Sequence, residues 1–360
     1  MSSWTPEVVK IKKIEKHPNA DNLSIATVMD DYQLVIKTGE FSVGQLAGYI
    51  PIDTIVPDND LFYFLCPNAS EKYEENGEIK TRIVGKKFEQ GLVPEKFRII
   101  KAKKIRGIYS QGLLLNVDGL KEGDSIVEYF LLKKWEEEED DDGINYPVKS
   151  KGQIDPPKTF NIPYYDISNI KKYLNCLNEN EEIILTEKLH GMNASFCHDG
   201  ENIWSKSRRF FKKEDPEDSW WDIVYRFNLK DKLAEYPFMV FFGEIVGQQR
   251  KFRYDSLLED GKLLTSIHFF DIYDSKTSKY LDYDDRIKIL DSLKLNKVPE
   301  LYRGPFLNKE QIYKYAEGKS LLNNSHIREG VVLVPLKERY DQILGRVQLK
   351  IISEAYNLQK

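Results

Sequence analysis

Hydrophobic and polar positions alternate in short runs through the first fifty residues. Val8-Val9-Lys10-Ile11, Ser24-Ile25-Ala26-Thr27-Val28 and Tyr32-Gln33-Leu34-Val35-Ile36-Lys37 each read as a strand, because a period of two puts one face in a core. Turn residues separate them: His17-Pro18-Asn19-Ala20-Asp21, then Gly39 and Gly44 ahead of Leu46-Ala47-Gly48-Tyr49-Ile50. Short strands at that spacing predict a small barrel rather than a βαβ unit. Residues 57–95 mix charge with turn residues and read as an elaborated loop with some helix. Over residues 99–106, Lys101, Lys103, Lys104 and Arg106 alternate with Ile99, Ile100, Ala102 and Ile105. That basic strand face either protects a sheet edge or follows a phosphate backbone.

The pattern changes after a block of like charge. Residues 136–142 are Glu-Glu-Glu-Glu-Asp-Asp-Asp, with Gly143, Pro147, Pro156 and Pro157 behind them. Such a run repels itself and buries nothing, so it marks a linker. Beyond it, helices are expected over 168–177, 220–233, 282–290 and 309–317, where apolar residues recur at helical spacing. Between them lie apolar strands: Ile183-Ile184-Leu185-Thr186, residues 238–247, residues 267–273, Val331-Val332-Leu333-Val334 and residues 346–352. Glu244 and Asp271 sit inside two of these strands, and Glu329 stands at the mouth of a third. A carboxylate there is costly unless it meets a cation, a metal or a ligand hydroxyl. Taken alone, Glu244 reads first as half of an ion pair.

The stretch Thr186-Glu187-Lys188-Leu189-His190-Gly191-Met192-Asn193 reads as a bend between two strands. A lysine buried beside apolar strands can lose its proton and become a nucleophile, and Gly191 allows the backbone close to a ligand. Alone it is more readily a surface lysine in a hairpin; the acids downstream reverse that balance. Composition adds limits. The 360 residues suffice for two domains, and 41% hydrophobic residues make them globular. Lys+Arg 53 against Asp+Glu 58 gives a net charge of −5, so a nucleic-acid surface has to be a local basic patch. Cys66, Cys176 and Cys197 lack Cys-x-x-Cys spacing, which excludes a disulfide framework or zinc knuckle and suggests a reducing compartment. With no secretory leader and no apolar run of membrane-spanning length, a soluble cytoplasmic or nuclear protein is expected.

Two groups of motifs resemble known families. The His17 to Asp21 turn, together with Lys104-Ile105-Arg106-Gly107-Ile108-Tyr109-Ser110-Gln111-Gly112-Leu113, resembles OB-fold modules that bind transfer RNA and related RNAs. The ordered series Lys188, Arg208, Glu244, Phe270-Asp271, Glu329-Gly330, Lys350 resembles the covalent nucleotidyltransferases, polynucleotide ligases and messenger-RNA capping enzymes. His190 followed by Asn193 looks like the ATP-dependent RNA ligases, and the N-terminal module like their branch in which an OB fold precedes the catalytic domain.

The resemblance implies an α+β fold: an OB-like RNA-binding barrel over 1–135, an acidic and proline-rich linker over 136–158, and a nucleotidyltransferase domain of antiparallel sheets flanked by helices over 159–360. It implies that Lys188 attacks the α-phosphate of ATP, that Glu187 borders the adenine, and that His190, Gly191 and Asn193 belong to the nucleotide pocket. Lys206 or Arg208 would contact ribose and phosphate; the two registers of Ser205-Lys206-Ser207-Arg208 leave both open. Glu244 and Glu329 would hold the ribose and a hydrated Mg²⁺ or Mn²⁺, Phe270 would stack on adenine with Asp271 beside it, and Lys350 would sit at the α-phosphate. The implied partner is RNA, including a nicked duplex with an RNA 3′-hydroxyl, and the implied state is a monomer away from membranes. Gln348 and Ile352 stand where many small RNA ligases carry a second cation near Lys350, and Val334 stands where a lysine often precedes the proline. Rival readings are a capping-type or DNA-sealing enzyme and a non-catalytic RNA-binding protein.

Overall fold

The computed structural model describes residues 4–75, 78–135, 153–247, 258–259, 262–263 and 265–359. The chain divides into two compact units, 2–137 and 138–359. The acidic run at 136–142, and with it most of the expected linker, lies outside the described residues.

In the N-terminal unit one long strand, Glu7–Lys16, serves two neighbours. Its first half pairs with Leu46–Ile50 and its second half with Leu23–Val28, with a bulge between Ile11 and Lys13 where it changes partner. A bulge sharpens the twist and curls the sheet. The five strands run in the order Leu113–Leu115, Leu46–Ile50, Glu7–Lys16, Leu23–Val28, Tyr32–Lys37. Val35 N–H donates to Ser110 Oγ at 3.0 Å and Gln111 N–H to Gln33 O at 3.3 Å, which joins the last strand back toward the start of the Leu113 strand. Ile11, Ala26, Val28, Leu34, Ala47 and Tyr49 fill the interior of this OB fold.

The two N-terminal motifs meet in space. His17 Nδ1 accepts from Asn19 N–H at 3.0 Å, so Nε2 carries the proton that it donates to Ile105 O at 3.1 Å. Asn19 Nδ2 donates to Arg106 O at 3.0 Å. The histidine turn therefore clasps the tip of a second turn, Arg106-Gly107, where both residues have positive φ (46° and 93°). The expected basic strand over 99–106 is interrupted at Lys101-Ala102 into Ile99–Ile100 and Lys103–Ile105, and the turn folds the latter back on Ile108–Ser110. Residues 57–95 also differ from expectation: Asn68–Glu75 pairs with Glu78–Lys86 as a hairpin, laced by Glu71–Arg82 and Glu75–Lys80 ion pairs, and helix is limited to the single turn Tyr63–Leu65 and the start of Glu95–Phe97.

The C-terminal unit is built on two large sheets, beside two two-stranded ones among the described residues. One contains seven strands, centred on Met192–His198, Met239–Val246 and Ser266–Asp274. The other has five, in the order Ser168–Asn169, Leu349–Ile352, Gly330–Pro335, Glu182–Lys188, Glu300–Pro305, with only the Ser168–Asn169 pair parallel. Helices Ser219–Arg226, Leu229–Ala234 and Tyr283–Ser292 cover the first sheet through Phe196, Phe241, Ile245 and Phe269; Lys309–Ala316 covers the second through Ile183, Leu185, Val331 and Leu333. The expected helix over 220–233 is thus two helices, interrupted at Asn228 with φ 50°. The one expected over 168–177 is absent. Ser168–Asn169 spend their backbone groups on the Leu349 strand, and only single 3₁₀ turns follow at Ile170–Lys172 and Leu174–Cys176. No helix among the described residues is long and apolar enough to cross a membrane.

Candidate active site

Lys188 ends its strand, and the chain passes through 189–191 from one sheet into the other, so the bend joins two sheets rather than closing a hairpin. Register decides which side chains share its face. Lys188 lies opposite Gly330, Thr186 opposite Val332, and Val332 opposite Lys350. Period two then puts Thr186, Lys188, Val332, Val334, Gln348 and Lys350 on one side, and all six line an open cleft of about 710 Å³. Gly330 makes the approach possible: a Cβ there would stand 2.0 Å from Ile351 O. Gly191 does a similar job. Its Cβ would meet Ile245 O at 2.3 Å and Glu244 Cγ at 2.7 Å, so its close approach is to the neighbouring strand.

The opposite wall comes from the seven-stranded sheet. Asn193 and Glu244 are register partners, and both face the cleft with Phe270 and Arg208. An irregularity between Phe242 and Gly243 places Asp271 opposite Phe242 while Phe270 reaches the cleft. Lys188 Nζ donates to Glu329 Oε1 at 2.6 Å, and Glu329 Oε2 lies 3.9 Å from His190 Nδ1. His190 Nδ1 hydrogen-bonds Tyr356 OH at 2.7 Å. Glu187 is buried in the wall; its Oε2 accepts from Leu321 N–H at 2.8 Å, while Oε1 has no hydrogen-bond partner.

Burial and like charge set the electrostatics. Desolvation, with Glu329 nearby, pushes Glu244 up to about 7 against the pull of Lys188 and Arg208. Burial, aided by Lys188 and Arg208, brings Lys350 down to about 8 although Asp166, 3.9 Å away, and Glu329 oppose the shift. A divalent cation between Glu244 and Glu329 would relieve their mutual repulsion. Among the described residues no three His, Cys, Asp or Glu side chains gather as a metal cage; an ion here would be held by two carboxylates, water and phosphate oxygens.

Of the expected site residues, Glu329, His190, Gly191, Asp271 and Lys206 do not line the cleft; Glu329 meets it through its bond to Lys188, and Asp271 and Lys206 are spent on other partners. Asp271 is fully buried and accepts from Arg286 at 2.8 Å, Arg346 at 2.6 Å and Tyr165 OH at 2.7 Å, all of which hold its carboxyl below the usual range. Lys206 is buried and donates to Ser207 O and Arg208 O, so Arg208 is the cation that reaches the cleft. Tyr165, Asp166 and Gln348 line the cleft without any signal in the sequence pattern. Gln348, in the place of the second cation, ties Tyr165 OH (2.6 Å) to Arg346 (3.2 Å). Arg346 is spent on Asp271 and Glu338, and Lys337 on Asp282, so neither stands in for that cation.

Residues 181–352 match the family model described as RNA ligase, and residues 6–96 match one described as an OB-fold domain. No curated protein matches the sequence. Among solved structures, a mutant of Naegleria gruberi RNA ligase with ATP and Mn superposes with a TM-score of 0.76 at 23% identity over 99% of both chains. A second mutant of it, with AMP and Mn, gives 0.75 at 23% over 99% of both. The same ligase with PPi gives 0.74 at 22% over 98% of this chain and 97% of that one. At such identity the likeness is one of fold.

Proposed function

We propose that this chain, which carries an RNA ligase domain over residues 181–352, is an ATP-dependent RNA ligase that joins an RNA 3′-hydroxyl to a 5′-phosphate. The observation that carries the reading is one cleft in which Lys188, bonded to Glu329, faces Glu244, Arg208 and Lys350. Lys188 Nζ bonds to the α-phosphorus of ATP as the bond to the bridging oxygen breaks, and pyrophosphate leaves. The 5′-phosphate of RNA then takes the AMP from the lysine, and a 3′-hydroxyl displaces AMP to close the strand. Arg208 and Lys350 place positive charge where phosphate oxygens gain negative charge. Glu244 and Glu329 would hold Mg²⁺ or Mn²⁺, and such an ion, when bound, neutralises charge on the phosphates.

The base pocket fits adenine. Phe270 offers a face for stacking, and the unpartnered Oε1 of Glu187 is an acceptor for the exocyclic amine. Guanine presents a carbonyl on that edge and would leave two acceptors facing each other. In this reading residues 1–135 bind RNA, 136–158 link, and 159–360 adenylate. The exposed Lys101, Lys103, Lys104 and Arg106 meet the phosphate backbone of a nicked duplex. In this reading the enzyme works as a monomer inside the cell, with Cys66, Cys176 and Cys197 as free thiols.

Intact mass after incubation with ATP and a divalent metal tests the proposal. One AMP is gained by the full chain and none by Lys188→Ala; an unchanged wild-type mass with both Mg²⁺ and Mn²⁺ overturns it.

A further inference from the structure

Beside the cleft, six consecutive residues read Arg208-Arg209-Phe210-Phe211-Lys212-Lys213. They turn the chain between strands Ile203–Ser207 and Phe211–Lys212. The turn is fixed at several points. Ser207 N–H donates to Phe210 O at 2.9 Å, Phe210 N–H donates to Ser207 Oγ at 3.2 Å, and the buried Lys206 Nζ donates to Ser207 O (3.3 Å) and Arg208 O (2.9 Å). Burying an ammonium is expensive; here it locks the backbone of a surface turn.

The two phenylalanines are treated oppositely. Phe211 is 7% exposed and packs in the core with Trp204, whereas Phe210 is 47% exposed. Lys212 lies over Trp220, 4.1 Å from the ring centroid, and 3.5 Å from Asp218, while Arg209, next to Phe210 in the chain, and Lys213, three residues after it, are exposed. A single exposed aromatic is ordinary. An aromatic held on a rigid turn, bracketed by cations, next to a side chain that lines the cleft is the combination that grips a single strand: stacking for the base and positive charge for the phosphates.

We propose that Phe210 is a stacking platform for a base at the 5′-phosphate end of the RNA, with Arg209 and Lys213 on the flanking phosphates. The strand end is thereby delivered past Arg208 to the adenylated Lys188. This rests on the ligase reading and adds an RNA subsite on the catalytic unit, separate from the basic turn of the OB fold. Lys206 is then a positioning residue that acts through the turn carbonyls.

The test uses the full chain, ATP, metal and a nicked duplex with a fluorescent 2-aminopurine at the 5′-phosphate nucleotide. Phe210→Ala is expected to gain AMP as the wild type does. Its KM for RNA in sealing should rise about tenfold to a hundredfold, with kcat changed less and the 2-aminopurine quench lost. Phe210→Trp should restore both, and Phe210→Leu, equally apolar but without a π face, neither. Wild-type KM and quench in Phe210→Ala, or rescue by leucine equal to that by tryptophan, overturns the platform. A wild type that never gains AMP overturns the ligase reading instead, so the two failures are distinct.

Discussion

Glu244 and Asp271 occupy neighbouring strands of the same sheet, each inside an apolar run, yet the molecule treats them in opposite ways. Asp271 is fully buried and carries its counter-charge with it: Arg286 and Arg346 bond its two oxygens, and its carboxyl is held low. Glu244 opens on the cleft, accepts the Gly191 N–H, and feels Lys188 and Arg208 only through space, so its carboxyl is held high. The difference teaches where function sits. An acid whose cations are built in is part of the scaffold, and an acid left without one is waiting for a metal or ligand. Glu329 is a third case, because its counter-charge is Lys188, the proposed nucleophile.

The largest effect expected from this contrast is a crossover between two isosteric substitutions. Glu244→Gln should cut adenylation by about 10²–10³-fold, the scale of losing one preorganised electrostatic group, while its melting temperature at pH 8 stays level or rises. Asp271→Asn strands the buried Arg286, takes one of two carboxylates from Arg346 and should lose about 3–5 kcal/mol, its activity falling only as folded protein is lost. Denaturant melts and single-turnover adenylation on the same preparations separate the two. A stable Asp271→Asn or a collapsed Glu244→Gln would reverse the assignment of scaffold and site.

The contrast was only partly legible in the sequence. The strands were, since alternation and apolar runs report burial directly, and of the ordered series Lys188, Arg208, Glu244, Phe270 and Lys350 line one cleft, with Glu329 bonded to Lys188. Asp271 was not distinguishable from Glu244. Its partners arrive from the helix Tyr283–Ser292 and from Arg346, 75 residues downstream, and no local pattern announces which acid a distant arginine will meet. The same reason hides Gly191, whose neighbour is the strand Met239–Val246, and the 168–177 segment, whose helical spacing loses to a strand nearly two hundred residues later.

A smaller and graded effect is expected with pH. Glu244 is raised from 4.5 to about 7, so its contribution to stability is complete below 4.5 and is lost as pH rises through about 7; for Asp271, held below 3.8, the contribution is present above that value and is lost as pH falls through its folded pKa. Glu244→Gln should therefore flatten the decline of stability between pH 5 and pH 7 and leave the acid limb unchanged. Adenylation should climb as Glu244 ionises near 7 and fall as Lys350 loses its proton near 8. Raising Mg²⁺ should move the ascending limb to lower pH, because the ion binds the carboxylate. An ascending limb indifferent to metal would detach Glu244 from metal binding.

The smallest effect concerns the intermediate case. Glu329 is held on three sides: Lys188 at 2.6 Å, its backbone carbonyl accepting from Ser353 N–H at 2.8 Å, and the His190 ring at 3.9 Å. His190 is in turn oriented by the Tyr356 hydroxyl at 2.7 Å, from the C-terminal helix Glu354–Gln359. Tyr356 thus touches no reacting atom and acts through His190 on the acid that holds the nucleophile. Tyr356→Phe keeps the ring and loses one hydrogen bond, of net worth about 0.5–1.5 kcal/mol. Adenylation should drop about threefold to tenfold in kcat with KM for ATP nearly unchanged, since the groups proposed to meet base and ribose are Glu187, Phe270 and Arg208. The double variant with His190→Ala should lose no more than His190→Ala alone, because the hydroxyl acts on the site through that ring. Additive losses would mean that Tyr356 supports the fold of the C-terminal helix instead of the geometry around Lys188.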